Sequence, residues 1–327
     1  MKGFDDAELL AALAHGGWCS GETLARRFGV SRAAVWKRLQ RLAELPGIEI
    51  ERAAGRGYRL NPPLELLQEQ RIRSHLGAET VRHLHRLRLC LQTGSTNDEV
   101  RRLLPPALHQ GSVVLAEHQT AGRGRRGRQW VTTFAGGLWL SLAWRFDLPM
   151  AALAGVSLAA GVALARVLEE FGLESHRLKW PNDLMVEGRK LAGILVEASG
   201  EASGPCVAVV GVGLNLSLAA EPAAAIDQPW CDLHAHLPEP PGRNRLAGRL
   251  IDELVRACLR YQREGLTPFL EDWRARDGFE GRKVEVRTGE ERLVGICRGV
   301  DESGALRLER DGVVRRFHAG EVSLREG

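Results

Sequence analysis

The sequence predicts an α+β protein of several domains: three helices with a β-hairpin at the N-terminus, a central mixed-sheet α/β domain and a small C-terminal β-barrel. Three observations carry this. Helical spacing of apolar residues runs up to Leu45 and then gives way to alternation around a glycine-rich turn. In the middle, strand-like runs arrive in pairs as well as alternating with helices, which favours a mixed sheet over a doubly wound one. From Lys283 onward, short alternating runs are separated by Thr288-Gly289, Ser303-Gly304 and Asp311-Gly312, which are turn dipeptides. The 327 residues, 44% of them hydrophobic, suffice for two or three such units, each with its own core. The expected boundaries are 1–62, 63–276 and 277–327.

In the first unit, Ala7 to His15 reads as a helix with Leu9, Leu10 and Leu13 on one face. Ser20 caps a second helix, Gly21 to Arg27, and Glu22 suits its positive end. Phe28-Gly29-Val30 makes a turn, and Ser31 caps a third helix from Arg32 to about Leu45. Val35, Leu39 and Leu42 point inward, while Arg32, Lys37, Arg38 and Arg41 occupy the other faces, with no acid between Gly29 and Leu42. Ile48-Glu49-Ile50 and Tyr58-Arg59-Leu60 flank the turn Ala53 to Gly57. A cation-only helix after a capped glycine turn, followed by a basic hairpin, is the winged form of helix-turn-helix, and it predicts DNA binding. Ser31 and Arg32 would lead the helix into the major groove, Lys37 and Arg38 would follow, and Arg56 and Arg59 would reach backbone or minor groove. Pro62-Pro63 ends the unit and starts a linker helix.

The central elements are strands Val113–Glu117, Gly137–Phe146, Leu191–Ala198 and Val207–Leu216, with helices Asn97–Leu104, Met150–Phe171 and Asn244–Glu264. The longest uncharged apolar run, Ala151 to Ala165, is Ala/Gly-rich and shorter than the roughly 20 residues of a membrane span, so it reads as a buried helix. The C-terminal strands are Lys283–Arg287, Arg292–Arg298, Ala305–Glu309 and Val313–His318.

Composition narrows the function. A net charge of +4 is mild, so the clustering of arginines matters more than their total. Six scattered cysteines without a CxxC pair suit a reducing cytosol. Cys231, His234 and His236 lie close together but lack the further regularly spaced ligands of a structural zinc site. Met1 to Asp6 does not read as a signal peptide, since acids come first and no apolar stretch follows a basic start. The expected setting is cytoplasmic, without a membrane.

The chemistry concentrates in Ala121-Gly122-Arg123-Gly124-Arg125-Arg126-Gly127-Arg128. Arginine offers a rigid, permanently charged fork to phosphate oxygens. Glycine permits close backbone approach and positive φ. The segment satisfies GxGxxG, yet the dinucleotide reading fails because strand-like Trp130-Val131-Thr132-Thr133-Phe134 follows instead of a helix. Lys179-Trp180-Pro181-Asn182-Asp183 adds a second cation at a strand end before a tight turn. Asn182 and Asp183 read equally well as turn formers or as ligand groups. Gly94-Ser95-Thr96-Asn97 reads as a helix start, with a hydroxyl cap that equally suits a small polar ligand. Gly193, Gly211 and Gly213 interrupt strands, as where a bulge forms or a ligand lies against the backbone.

Taken together and in order, Ser95-Thr96-Asn97, Gln119 to Arg128, Lys179 to Asp183, Lys190 to Glu197 and Gly211-Val-Gly-Leu-Asn215 resemble the signature of the biotin–protein ligases. With the helix-turn-helix ahead of them, the resemblance extends over essentially the whole chain and is to the class that also represses the biotin operon. It implies a class II synthetase-like ligase domain and an SH3-like barrel. It implies formation of biotinyl-5′-AMP from biotin and ATP, with Mg²⁺, and transfer of biotin to a lysine of the biotin carboxyl carrier domain of acetyl-CoA carboxylase. Lys179, Arg125 and Arg128 are then expected at the reacting phosphate. Ser95, Thr96, Asn97, Gln119, Gly122, Arg123, Gly124, Gly193 and Gly211 are expected around biotin or the adenylate. Trp230 is expected to order over adenine. No metal site made by the protein alone is expected. The resemblance further implies an adenylate-promoted homodimer, joined through the central sheet, that binds operator DNA, the same surface docking the carrier domain. His118 and Gly94 depart from residues common in the family, outside its core motifs. Three other readings stand beside this one: lipoate or octanoate attachment, a biotin-sensing repressor without turnover, and a ligase without a regulatory role.

Overall fold

The computed structural model describes residues 5–103, 111–201, 203–288, 291–318 and 322–326. Helices α1 (Asp6–Leu13), α2 (Gly21–Phe28) and α3 (Arg32–Ala43) bury Leu9, Leu10, Leu13, Leu24, Val35, Leu39 and Leu42 in one core. Both expected caps form: Ser20 Oγ accepts Thr23 N–H at 3.0 Å and Ser31 Oγ accepts Ala34 N–H at 3.1 Å. Each such cap contributes about 1 kcal/mol. Gly29, at φ +66°, takes the left-handed conformation that ends α2. Strands β1 (Ile50–Ala53) and β2 (Gly57–Leu60) pair antiparallel as the wing.

The chain after Pro63 runs without a helix to α4 (Glu69–Arg73), later than the proline pair suggests, and continues through α5 (Ala78–His83). Polar straps hold this linker. Glu117 accepts Leu67 N–H at 2.6 Å and the Arg243 guanidinium at 2.7 Å, with both charged side chains buried. Removing either partner would strand a buried charge.

The central sheet has seven strands in the order β3-β4-β5-β9-β8-β7-β6. These are β3 (Arg86–Thr93), β4 (Ser112–Gln119), β5 (Gly137–Phe146), β6 (His176–Lys179), β7 (Asp183–Val186), β8 (Arg189–Gly200) and β9 (Cys206–Asn215). Only β3 and β4 run parallel, so the sheet is mixed, as the sequence predicts. Strand β5 shows why its alternation gives no polar face: both faces are buried. Leu138, Leu140, Leu142, Trp144 and Phe146 join the core under α7 (Val156–Glu170) and α9 (Arg243–Glu264). Ala143 instead packs with Val100 of α6 (Thr96–Arg102), and Trp139 packs beside Trp130 and Leu218. The expected last helical residue, Leu104, lies outside the described residues. The segment Met150–Glu170 is long and apolar enough for a membrane span, but it lies in the core against β8 and α9.

Trp130 to Phe134 does not form a strand. Its polar groups bond elsewhere: Trp130 N–H to Gly122 O at 2.9 Å, Thr132 Oγ1 to Gln119 O at 2.8 Å, and Phe134 N–H to Pro46 O at 2.6 Å. Phe134 thereby enters the core of the N-terminal unit. At the other end, α8 (Ala220–Ala223) precedes α9, and α10 (Leu270–Arg276) leads into a five-stranded antiparallel sheet, β13-β12-β11-β10-β14. Its strands are β10 (Lys283–Thr288), β11 (Glu291–Val300), β12 (Leu306–Arg310), β13 (Val313–Phe317) and β14 (Val322–Glu326). Gly289 of the expected first turn lies outside the described residues.

Candidate functional site

A cavity of about 630 Å³ opens on the α6 side of the sheet. Ser95, Thr96, Asn97, Gln119, Arg123, Gly124, Arg125, Arg128, Lys179, Gly193, Gly211 and Trp230 all line it. Gly122 does not. It is buried behind the loop, where a Cβ would lie 2.6 Å from Trp130 O.

The arginine loop closes on itself. Gly124 N–H bonds Arg128 O at 2.8 Å, and Arg126 and Gly127 turn the chain with φ of +59° and +71°. Glycine is needed at 127 because a second consecutive left-handed residue would cost a side chain dearly. Arg125 and Arg128 stand in the cavity, and Arg125 Nη1 lies 3.5 Å from Asn182 Oδ1. Burial pulls the Arg125 guanidinium below its usual pKa, opposed by the Asp183 charge. Arg123 also lines the cavity, but its guanidinium is held by acids of neighbouring elements. Its guanidinium grips Asp98 Oδ1 and Oδ2 at 2.7 and 2.5 Å and lies 3.6 Å from Glu197. It fastens the loop to α6 and β8.

The helix start at Ser95 also differs from expectation. Ser95 makes no side-chain cap bond. Gln119 Oε1, at the end of β4, accepts Thr96 N–H at 2.8 Å and its hydroxyl at 3.0 Å. Ser141 Oγ then donates to Thr96 Oγ1 or Asn97 Oδ1, at 2.7 and 2.6 Å, and Asn97 Nδ2 donates to Glu197 at 2.6 Å.

Lys179 ends β6 and Asp183 opens β7, so Trp180-Pro181-Asn182 is a hairpin turn with a cis Trp180-Pro181 bond. Asn182 acts structurally: its Nδ2 donates to Ile194 O and its carbonyl accepts Ile194 N–H, both at 2.8 Å. Asp183 Oδ1 lies 2.8 Å from Lys190 Nζ. Gly193 and Gly213 face each other in regular pairing of β8 and β9, without a bulge. Trp130 explains them. A Cβ at Gly193 would lie 2.8 Å from its ring, and one at Gly213 would lie 2.6 Å away. At Gly211 a Cβ would meet Asn97 Oδ1 at 2.4 Å. The glycines thus admit an indole wall and an amide into the site. Trp130, Phe279 and the stretch Ile226 to Pro229 also line the cavity and are not singled out by sequence. Among the described residues, no three His, Cys, Asp or Glu come together as a metal-binding group.

On the N-terminal unit, Ser31, Arg32, Lys37 and Arg56 are exposed. Arg38 is half-buried and ion-paired with Asp6 of α1, which also takes Arg41. Its place is therefore the α1 flank of α3. Arg56 and Arg59 stack over the Trp18 ring at 4.6 and 4.8 Å, which rigidifies the wing.

Comparison with known proteins matches three segments of the chain. Residues 7–59 match an HTH domain, 90–215 the biotin/lipoate A/B protein ligase family, and 280–325 the biotin protein ligase C-terminal domain. The chain is 40% identical to the bifunctional ligase/repressor BirA of Salmonella typhimurium, covering 97% of this chain and 96% of that protein. It is 39% identical to the biotin–[acetyl-CoA-carboxylase] ligase of Mycobacterium tuberculosis, covering 81% of this chain and 97% of that one. A biotin protein ligase from Aquifex aeolicus, solved with biotin and ATP, shares the fold: its TM-score is 0.64 at 23% identity, over 75% of this chain and all of that one.

Proposed function

The chain belongs to the bifunctional biotin ligase/repressors, and from that premise we propose how its residues divide the work: one cavity adenylates biotin and passes it to a carrier-domain lysine, while the N-terminal unit reads operator DNA. The observation that carries the reading is the meeting of Arg125, Arg128 and Lys179 with Ser95, Thr96 and Gln119 in a single cavity.

A biotin carboxylate oxygen attacks the α-phosphorus of ATP. The bond from that phosphorus to the bridging oxygen breaks, pyrophosphate leaves and biotinyl-5′-AMP remains. Both reactants are anions, so the step needs fixed cations more than an enzyme nucleophile. Arg125 and Arg128 meet the phosphates, and Lys179 stands at the carboxylate–phosphate junction. An acceptor lysine, neutral once its ammonium has lost a proton to solvent, then attacks the acyl carbon, and its nitrogen gives up a second proton to solvent as the carbon–oxygen bond to AMP breaks. AMP departs and an amide forms. Gly193 and Gly211 border the biotin slot, with the Trp130 indole as its apolar wall. Trp230, tied to Lys190 by a β-bridge, covers adenine. Arg123 holds the loop shut through Asp98.

Mg²⁺ fits as a cation brought by the nucleotide. The carboxylates lining the cavity are Asp183 and Asp227, and Asp183 already faces Lys190. They would supply one or two ligands while phosphates supply others, and the ion would offset phosphate charge.

The adenylate favours a homodimer through the central sheet, which brings two α3 helices to a palindromic site in a cytosolic setting. The same surface receives the carrier domain of acetyl-CoA carboxylase, so ligation and repression compete. The test combines two assays. Mass spectrometry follows biotin added to a carrier domain with ATP, with lipoate as control, and sedimentation with DNA from upstream of biotin genes follows dimer and complex. The reading expects biotinylation of one lysine and adenylate-dependent DNA binding. Biotin binding without turnover would leave a sensor, and turnover without DNA binding would leave a ligase alone.

A further inference from the structure

Phe279 comes from the joint between α10 and β10, far in sequence from every motif of the site, yet it lines the cavity. Its ring lies under the Lys179 ammonium, with Nζ 5.4 Å from the ring centroid, within cation–π range. The ring is buried, at 5% exposure, and three contacts fix the backbone that carries it. Asp277 forms a parallel β-bridge with Leu178, the residue before Lys179. Gly278 N–H donates to Leu178 O at 3.0 Å. Asp277 Oδ1 accepts Phe279 N–H at 2.9 Å. A Cβ at Gly278 would lie 2.9 Å from Arg177 Cβ, so the close approach of the joint to β6 requires glycine there.

We infer that Phe279 is a positioning residue for Lys179, through which the joint to the C-terminal sheet completes the phosphate end of the ligase site. The buried ring gives the ammonium a desolvated, electron-rich face that fixes its place beside the reacting anions. A cation that is fixed before the reaction costs no reorganisation when charge develops. A Lys179 that wanders would still bind ATP but would stabilise the transition state less, so the loss falls on kcat.

The inference rests on the adenylation reading above, and the test separates the two. Biotin-dependent ATP–pyrophosphate exchange is measured for the full-length wild type, Lys179→Met, Phe279→Leu, Phe279→Met and Phe279→Tyr, with thermal melting of each. Phe279→Leu is expected to lower kcat about 3- to 30-fold, the span of a partly desolvated cation–π contact, with less than about a twofold change in the KM for ATP. Phe279→Tyr, which keeps the π face, should restore kcat to within about twofold. If Phe279→Leu does not fold, Phe279→Met, which keeps apolar bulk without a ring, is judged by the same criteria. Wild-type kcat in either ring-less variant overturns the inference while exchange itself stands. So does a loss in Phe279→Tyr equal to that in Leu, or a loss that tracks the melting temperature. Absence of exchange in the wild type, or its survival in Lys179→Met, overturns the underlying reading instead.

Discussion

Gln119 Oε1 accepts both the backbone N–H and the hydroxyl of Thr96, at 2.8 and 3.0 Å, so a side chain at the end of β4 caps the first turn of α6. This ties the segment leading into the arginine loop to the helix start beside it. Gln119→Ala should destabilise the protein by about 1–2 kcal/mol, the usual loss for a cap and a half-buried hydrogen bond, and should weaken biotin binding. Gln119→Glu keeps an acceptor and should recover most of the stability. Denaturant melts and calorimetric titration with biotin check both.

The glycines of β8 and β9 make a second prediction. Gly213→Val places carbon where Trp130 now lies, with 2.6 Å to its ring for the Cβ alone. Overpacking of this kind costs about 1–3 kcal/mol, and the indole must leave the wall of the cavity. Biotin affinity should fall at least about tenfold, with a red shift in tryptophan emission as the ring meets water. Unchanged affinity would contradict the wall.

Asp277 gives a pH signature. Burial raises its carboxyl from 3.8 to about 6. A carboxyl raised in the folded state binds its proton more tightly there than in the unfolded chain. Stability therefore falls as pH rises between about 4 and 6, and above that window the buried charge is a constant liability. Asp277→Asn should stabilise the protein by roughly 1–3 kcal/mol at pH 7.5 and by little near pH 4. Melts across pH measure this, and a gain independent of pH would refute the assignment.

DNA binding separates the cations of α3. Lys37 is exposed, whereas Arg38 is paired with Asp6. Lys37→Ala should reduce the slope of log K against log salt by about 1, the loss of one phosphate contact. Arg38→Ala should leave the slope unchanged and cost at most about 1 kcal/mol of stability.

The extent to which the sequence discloses this architecture depends on how local each signal is. The Ser20 and Ser31 caps, strand Gly137–Phe146 and the β6 position of Lys179 are written in a few adjacent residues, and the structure agrees with them. Strand β3 carries an equally local signal, with Leu87, Leu89 and Leu91 alternating with Arg86, Arg88, Cys90 and Gln92, yet it is missing from the strands read from the sequence. Strands β6 and β7 are four residues each, too short for a period to stand out. The purposes of the glycines, of Arg123 and of Phe279 are not local. Gly193 and Gly213 announce a close approach, but only the fold shows that Trp130 makes it. Arg123 looks like its neighbours in the loop until Asp98 and Glu197 are brought beside it.

The most direct measurement is biotin-dependent ATP–pyrophosphate exchange, comparing wild type with Arg125→Ala. The account predicts exchange that requires biotin, is not supported by lipoate and falls at least about 100-fold in the variant, as when a charge-stabilising group is removed. Exchange that is indifferent to Arg125, or supported by lipoate in place of biotin, would contradict it.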